Sequence, residues 1–271
     1  MAELPEIAHL AYQMDQALTG KKITAVETVQ PKCLNLSLEA FSQALVGARI
    51  LGSRYHGKWI QISTSLGWLL INLGMGGEVL LVDRQTLPKK WRVIFDFDDM
   101  TCLALNFWWF GYVHYIPTGA LETHTMTARL GPNALDLSQS DLGGLLKGQR
   151  GSIKAFLLDQ SKLAGIGNAY IHDILFLAKL HPLRKIDSLA EAEIDGLANA
   201  IQLGLHISLD KGGSFYEKDL FGQPGQYTMD HIHIGYKENQ SCPVCATTII
   251  KIKTGSNSTF ICPVCQPEPS H

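Results

Sequence analysis

Apolar residues recur at helical spacing near the start of the chain. Pro5 opens this segment and Gly20 follows it, as in a helix, because proline suits the first turn and glycine suits the residue after the last turn. The apolar side chains that would share one helical face are Ile7, Leu10, Ala11, Met14 and Leu18. The spacing therefore predicts one amphipathic helix.

Between residues 22 and 118 the apolar residues come in short runs instead. These runs are rich in Val, Ile and Trp, and they include WIQIS, GWLLINL, EVLLV and WRVIFDF. Short runs of branched and aromatic residues between turn residues are typical of β-strands. This part of the chain is therefore predicted to form an antiparallel sandwich or barrel.

Helical spacing returns after residue 120. The shorter predicted helices lie around residues 142–146, 153–158 and 168–179. A capping box, Ser188-Leu-Ala-Glu191, starts a longer helix that runs to about Leu209. The glycine-rich segment that follows, KGGSFYEKDLFGQPGQY, is predicted to be a mobile loop, and its Glu217 and Asp219 are assigned no role.

The last part of the chain carries two CPVC motifs separated by sixteen residues. Two such motifs at this separation are typical of a structural zinc site, in which four thiolates leave no open position for catalysis. The alternating residues between them turn at Gly255, which predicts a β-hairpin. Two disulfides are the alternative, and the lack of a recognisable secretion signal disfavours them. The predicted ligands of this zinc ion are Cys242, Cys245, Cys262 and Cys265.

Composition and charge limit the class of protein. Hydrophobic residues make up 46% of the chain and charged residues 18%, which is ordinary for a globular protein. No apolar run reaches the ~18 residues that a membrane helix needs, so we expect a cytoplasmic protein without a membrane partner. The net charge of −2 disfavours a strong non-specific nucleic-acid binder, and DNA binding would have to come from a local basic face.

Five stretches resemble the formamidopyrimidine-DNA glycosylase / endonuclease VIII family. They are MAELPEI at the start, INLGMGG at 71–77, LGPNAL at 130–135, IKAFLLDQSKLAGIGNAYIHDILFLAKLHP at 153–182, and the CPVC hairpin. The long stretch is similar to the helix–two-turn–helix motif of the family, and the hairpin is similar to its zinc finger. The resemblance spans essentially the whole chain.

This resemblance implies an α+β fold with two domains. The first is an N-terminal β-sandwich with a leading helix, and the second is a C-terminal helix–two-turn–helix domain with a four-Cys zinc-finger β-hairpin. The expected boundaries are 1–119 for the catalytic-type β-sandwich, 120–225 for the helix–two-turn–helix part and 226–271 for the zinc finger. The resemblance also implies a monomer that holds a structural Zn²⁺, binds damaged, abasic or unpaired DNA, and associates with the nucleoid.

The resemblance implies a reaction as well. In the family the initiator Met is removed, the new N-terminal amine attacks the sugar C1′ of a damaged nucleotide, and a Schiff base and β-elimination follow. Ala2 occupies the nucleophile position, Glu3 the acid/base position and Lys58 the position of the β-domain catalytic lysine. Glu6 matches the second acid of the opening motif. An α-amine has a pKa of about 7.7–8, so a useful fraction is nucleophilic near neutral pH.

Other positions are assigned to DNA binding by the same resemblance. Met75 matches a residue that fills the gap left by a flipped base, and Phe110 matches an aromatic wedge. Two further positions match a Lys and an Asn that bind phosphate, and one matches the tip of the zinc hairpin. The full set of predicted DNA-binding residues is Met75, Trp109, Phe110, Lys154, Asn168 and Asn257.

Several positions depart from the family pattern. Ala2 stands where proline is usual, although a primary amine still forms an imine. Trp108 and Trp109 stand where the family has two arginines, which removes a contact to cytosine but permits base stacking suited to unpaired DNA. Asn257 replaces an arginine, so a hydrogen bond to phosphate is retained without the charge.

Structural roles compete with the functional ones. Glu3 also fits the first turn of a helix, where acids favour the dipole, Lys58 fits a solvated strand, and Met75 fits a core. Two functions therefore stay open. One is an active DNA glycosylase with AP-lyase activity on oxidised bases or abasic sites. The other is a protein that binds damaged, abasic or single-stranded DNA without catalysis, or that caps abasic sites covalently.

Overall fold

The computed structural model describes residues 2–108, 110–255 and 257–269. These residues form two compact units. The first unit contains the chain up to Arg129 together with Lys211–Gln226, and the second contains Leu130–Asp210 together with the chain from Tyr227. The domain boundaries after residues 119 and 225 stay a prediction.

The first unit begins with helix α1 (Leu4–Leu18). Glu3 is its N-cap, and the Glu6 carboxylate accepts a hydrogen bond from the Glu3 backbone N–H at 2.8 Å. Pro5 lies in the first turn, where its missing N–H costs nothing. The apolar face predicted from the sequence is buried, so the predicted amphipathic helix is confirmed.

Strands follow in two antiparallel sheets. Within the described part of the unit they are β1 (Ile23–Thr28), β2 (Ile50–His56), β3 (Trp59–Thr64), β4 (Gly67–Asn72), β5 (Glu78–Asp83), β6 (Val93–Phe97), β7 (Thr101–Asn106) and β8 (Tyr112–Pro117). The strand orders are β1-β6-β7-β5 and β2-β3-β4-β8. Both sheets and α1 contribute to one apolar core that includes Met14, Ile62 and Phe95. The predicted β-sandwich with a leading helix is confirmed.

Helix α2 (Leu38–Leu45) lies where the sequence analysis predicted strands. Ser37 caps it, because its Oγ accepts a hydrogen bond from the Ala40 N–H at 3.2 Å. Phe41 and Leu45 are fully buried. The prediction was wrong here because a short helix with few turns gives a weak periodic signal among so many strands.

The glycine-rich segment Lys211–Gln226 is held within the first unit by several contacts, and its predicted mobility stays a prediction. Leu220 is fully buried, and its carbonyl accepts a hydrogen bond from the Leu81 N–H at 2.9 Å. Gln13 binds both the Leu220 N–H, at 2.8 Å, and the Asp219 carboxylate, at 3.0 Å. Asp219, which had been assigned no role, therefore helps to fix this segment on α1.

The second unit contains the helices predicted from the sequence and a hairpin, but Ala190 rather than Ser188 is the N-cap of the long helix, so the predicted Ser188–Glu191 capping box was wrong. Its helices are α3 (Gln139–Leu146), α4 (Ile153–Leu158), α5 (Ile171–Leu177) and α6 (Glu191–Leu209), and its strands are β9 (Ile250–Thr254) and β10 (Asn257–Ile261). Gly204 allows α6 to approach α5 closely, because a Cβ there would lie 3.0 Å from Ile174. Among the described residues no helix is both long enough and apolar enough to cross a bilayer.

Candidate active site and zinc centre

Glu3 and Lys58 lie close together in the first unit. The Glu3 Oε1 atom is 3.8 Å from the Lys58 Nζ atom, and the Glu3 side chain is only 2% exposed. Glu3 is fixed in this position by its role as the N-cap of α1. The Glu3 carboxylate therefore lies close to the Lys58 ammonium. Ala2, the residue before Glu3, is also buried.

Asn72 connects this pair to the next loop. Lys58 lies in the turn between β2 and β3, and its carbonyl accepts a hydrogen bond from Asn72 Nδ2 at 2.9 Å. The Oδ1 atom of Asn72 accepts a hydrogen bond from the Gly74 N–H at 3.0 Å. One side-chain amide thus links the Lys58 turn to the loop that carries Met75. The sequence alone gave no sign of this link, since an Asn at a strand end is common.

Met75 and Phe110 lie on two loops whose backbones are in close contact. Gly74 has φ +57°, and a Cβ at this position would lie 1.4 Å from the Phe110 carbonyl oxygen, so only glycine allows the loops to approach this closely. Met75 is 51% exposed and Phe110 is 60% exposed. The interpretation of Met75 as a core residue is therefore wrong. The predicted neighbour Trp109 lies outside the described residues.

Glu6 connects helix α1 to the glycine-rich segment Lys211–Gln226. One oxygen of its carboxylate accepts the Glu3 N–H at 2.8 Å, and the other accepts the Ser214 N–H at 2.9 Å. Gly213 has φ +93°, and a Cβ there would lie 2.8 Å from Glu6 Cγ. Segment Lys211–Gln226 is thus held against the start of α1. Sequence reasoning missed this contact because Ser214 is distant from Glu6 in the chain.

Lys154 of the second unit is hydrogen-bonded to the β9–β10 hairpin, which is the hairpin of the predicted zinc finger. Its side chain is buried, and its Nζ donates to Thr254 Oγ1 at 2.7 Å, Thr259 Oγ1 at 2.6 Å and the Ser258 carbonyl at 3.4 Å. Burial lowers the pKa of the Lys154 ammonium below its ordinary value. Lys154 therefore joins α4 to the hairpin, and its contact with phosphate stays a prediction.

Asn168 lies just before α5, next to Tyr236. The Tyr236 hydroxyl donates to the Asn168 carbonyl at 3.3 Å. Tyr236 has φ +60°, a strained conformation for a large residue. The loop that carries it is ordered by Asp173, whose carboxylate accepts three backbone N–H groups, from His233, Ile234 and Gly235. No sequence pattern indicates this role of Asp173, because its partners are backbone groups.

The four predicted zinc ligands converge. The Sγ atoms of Cys242, Cys245, Cys262 and Cys265 all lie within 4.8 Å of one another. Three of the Sγ–Sγ distances are 3.4, 3.6 and 3.8 Å. A tetrahedron with Zn–S bonds of about 2.3 Å has edges of roughly 3.8 Å, so the cluster fits a zinc ion. These cysteines close the base of the β9–β10 hairpin, and Asn257 lies at its exposed tip.

Three family models match this chain. The formamidopyrimidine-DNA glycosylase N-terminal domain matches residues 1–107, the formamidopyrimidine-DNA glycosylase H2TH domain matches residues 130–218, and the zinc finger found in FPG and IleRS matches residues 239–267. H2TH denotes the helix–two-turn–helix motif. The four-Cys cluster of this finger binds a structural zinc ion, and the predicted fold class is confirmed.

Relatives and solved structures agree with these matches. The formamidopyrimidine-DNA glycosylase of Chloroflexus aurantiacus is 32% identical over 98% of both chains. That of Streptococcus mutans is 30% identical over 99% of this chain and 100% of the relative. The structure of Lactococcus lactis Fpg with DNA that contains an abasic site matches with a TM-score of 0.90 at 26% identity, and covers 98% of this chain and 100% of that one. The chain belongs to the formamidopyrimidine-DNA glycosylase family.

Proposed function

We propose that this protein is a DNA glycosylase of base excision repair that binds damaged or abasic DNA, and that it also cleaves the strand as an AP lyase. The similar Lactococcus lactis structures contain DNA with an abasic site or with Fapy-dG, and these lesions are therefore the first substrates to examine. The observation that carries the catalytic part of the proposal is the approach of Glu3 to Lys58 beside Ala2.

The proposed nucleophile is the α-amine of Ala2, which becomes available when Met1 is removed. The amine attacks C1′, the bond from C1′ to the base breaks, and the base leaves with the electron pair and a proton. The ring bond from C1′ to O4′ then opens, O4′ takes a proton, and the nitrogen lone pair forms an imine with C1′. Loss of a C2′ proton next expels the 3′ phosphate by β-elimination.

Glu3 is the proposed proton carrier for these steps. Its carboxyl group follows Ala2 directly in the chain and is buried, so a proton held there is not readily lost to bulk water. Lys58 Nζ lies 3.8 Å from Glu3 Oε1, and its positive charge would favour the ionised carboxylate after each proton transfer. Replacement of the usual proline by Ala2 retains this chemistry, because a primary amine forms the imine after losing one further proton.

The remaining predicted residues are proposed to hold DNA. Met75 and Phe110 are large, apolar and exposed, which suits side chains that enter the base stack where a nucleotide has been flipped out. Asn168 and Asn257 offer amides to phosphate oxygens. Lys154 is proposed to act mainly through the hairpin, since hairpin oxygens already accept hydrogen bonds from its ammonium.

The experiment that tests the catalytic proposal compares two glutamate variants. Glu3→Gln retains the shape of the N-cap but removes the proton carrier, and we expect at least a 100-fold loss of base excision from a duplex that contains Fapy-dG. Glu39→Gln is the matched control, because Glu39 is an exposed acid in the first turn of α2. Excision by Glu3→Gln at the rate of the control would contradict the role of Glu3.

Binding without turnover is the second candidate function. It is favoured by Ala2 itself, which stands where the family usually has the proline whose secondary amine forms an iminium directly. The same assay separates the two functions when affinity is measured in parallel. Tight binding of abasic DNA with neither excision nor strand cleavage by the wild-type protein would support the binding function and contradict the catalytic one.

A further inference from the structure

Asn72 is the last residue of β4 and precedes an exposed loop of the first unit. The backbone pairing of β4 with β3 ends at Ile71 and Ile60, so this ladder does not reach the turn that carries Lys58. The side-chain amide of Asn72 continues the connection. Its Nδ2 atom donates to the Lys58 carbonyl at 2.9 Å, and its Oδ1 atom accepts the Gly74 N–H at 3.0 Å.

These two contacts require an amide side chain. One of its groups donates a hydrogen bond while the other accepts one, whereas a carboxylate of the same shape only accepts and an aliphatic side chain does neither. Asn72 is half-buried, so water competes only in part for its two partners. Both partners are backbone groups, and the amide therefore fixes the course of the chain at each end.

One end of the amide determines where the Lys58 ammonium lies. The Lys58 Nζ atom is 3.8 Å from Glu3 Oε1, and the Lys58 side chain is 19% exposed. At this separation the two charged groups are close to the limit of a direct ion pair, so a small movement of the turn would separate them. Misplacement of a catalytic group by about 1 Å lowers a rate by about 100-fold.

The other end of the amide sets the start of the Met75 loop. An Asn side chain that accepts the N–H two residues later closes a local turn. Gly74 and Gly76, on either side of Met75, have φ +57° and +64°, so the loop reverses tightly around that residue. Met75 is 51% exposed, and the direction in which it projects depends on the turn that Asn72 closes.

We propose that Asn72 is a positioning residue that fixes the Lys58 ammonium and the Met75 side chain relative to each other. It acts through these two residues and not on the DNA. A nucleotide whose place in the base stack is taken by Met75 would therefore meet the Lys58 charge at a set position. The proposal rests on the proposed function, which assigns the roles of Lys58 and Met75.

Two neutral substitutions of Asn72 separate its contacts. Asn72→Ala removes both of them. Asn72→Ser removes the donor to the Lys58 carbonyl but retains an oxygen for the Gly74 N–H, because serine closes the equivalent turn. Asn35→Ala is the matched control, since Asn35 also donates to a backbone carbonyl and accepts a backbone N–H, both of Tyr115 on β8, at 2.7 and 2.8 Å.

Two measurements are made on each variant. Single-turnover excision of Fapy-dG with enzyme in excess reports the chemical step, and affinity for a duplex with a tetrahydrofuran abasic analogue reports binding without chemistry. Asn72→Ser should lower the excision rate by at least about tenfold and keep the affinity within about twofold of wild type. Asn72→Ala should lower the rate similarly and also weaken binding by about 3- to 10-fold, as expected for one lost hydrogen bond. Asn35→Ala should change neither quantity by more than about twofold.

A double variant tests whether Asn72 acts through Lys58. Lys58→Gln removes the ammonium, and in this background Asn72→Ser should lower the excision rate by less than about twofold. Effects that multiply would overturn the proposal, because a residue that only stabilised the fold would lower the rate in both backgrounds. Equal losses of excision in Asn35→Ala and Asn72→Ala would overturn it as well. The Asn72→Ser comparison decides the matter if Asn72→Ala fails to fold.

A failure of the proposed catalysis is distinguishable from a failure of this proposal. If the wild-type protein binds the tetrahydrofuran duplex but excises no base, the catalytic function is contradicted and the affinities still test the role of Asn72. Asn72→Ala should then weaken binding in the wild-type background but not in the Met75→Ala background. A loss of affinity that is the same in both backgrounds would overturn the positioning role.

Discussion

The contact between Lys154 and the zinc hairpin predicts a specific coupling between two residues. Thr259 is fully buried, and its Oγ1 accepts a hydrogen bond from Lys154 Nζ at 2.6 Å. The Oγ1 atoms of Thr254 and Thr259 are also 2.6 Å apart. The variants to compare are Lys154→Met, Thr259→Val and the double variant.

The geometry sets the expected magnitudes. With Lys154 present, Thr259→Val removes an acceptor from a buried ammonium, which costs about 1.5–3 kcal/mol of unfolding free energy. With methionine at position 154, Thr259→Val removes only a neutral hydroxyl contact, worth about 0.5–1 kcal/mol. The coupling energy between the two positions should therefore be about 1–2 kcal/mol.

Urea unfolding of the zinc-loaded protein measures this coupling, with zinc release as the probe for the hairpin. Lys253→Met is the control, because Lys253 is exposed on the same hairpin and should be nearly neutral. Additive effects of Lys154→Met and Thr259→Val, within about 0.5 kcal/mol, would refute the reasoning. Such additivity would mean that the ammonium is solvated and available to bind phosphate instead.

Three further predictions follow from the described contacts. His172 is fully buried, and burial together with the Lys154 charge lowers its pKa to about 3. The folded state therefore holds the imidazole neutral, and the stability contributed by this group is complete above its unfolded pKa of about 6.5 and is lost as pH falls toward 3. His172→Phe should flatten that acid-side loss in thermal unfolding measured against pH. Gly74→Ala places a methyl group on the Phe110 carbonyl, so affinity for abasic DNA should fall at least tenfold in a binding titration while far-ultraviolet circular dichroism is unchanged. Wild-type affinity in this variant would contradict the claim that DNA binding needs the close contact between these two loops. Chelation of zinc should unfold the hairpin, because the four thiolates close its base, and DNA affinity that persists after verified zinc loss would count against a role of the finger in binding.

The sequence was most informative where spacing determines structure. Two CPVC motifs have few structural solutions, and the four thiols converge as predicted. The period of the apolar residues likewise identified α1 and α6, since each is long enough to repeat its pattern several times. The pairing of Glu3 with Lys58 came from the family resemblance, because local pattern cannot bring distant residues together.

The errors have physical causes that particular residues illustrate. Glycine and polar residues dominate the segment Lys211–Gln226, so its sequence does not reveal that Leu220 is buried and hydrogen-bonded to the Gln13 side chain. Asn72 and Asp173 were missed because their hydrogen bonds go to backbone groups, which any sequence supplies.

The central claim is that the amine of Ala2 forms a covalent bond with the sugar of a damaged nucleotide. The most direct measurement is borohydride trapping on abasic DNA, using protein whose loss of Met1 has been verified by intact mass, followed by mapping of the cross-linked peptide. We predict an adduct on the peptide that begins with Ala2, and its loss when that amine is blocked. The absence of an adduct, or an adduct on Lys58 alone, would contradict the mechanism.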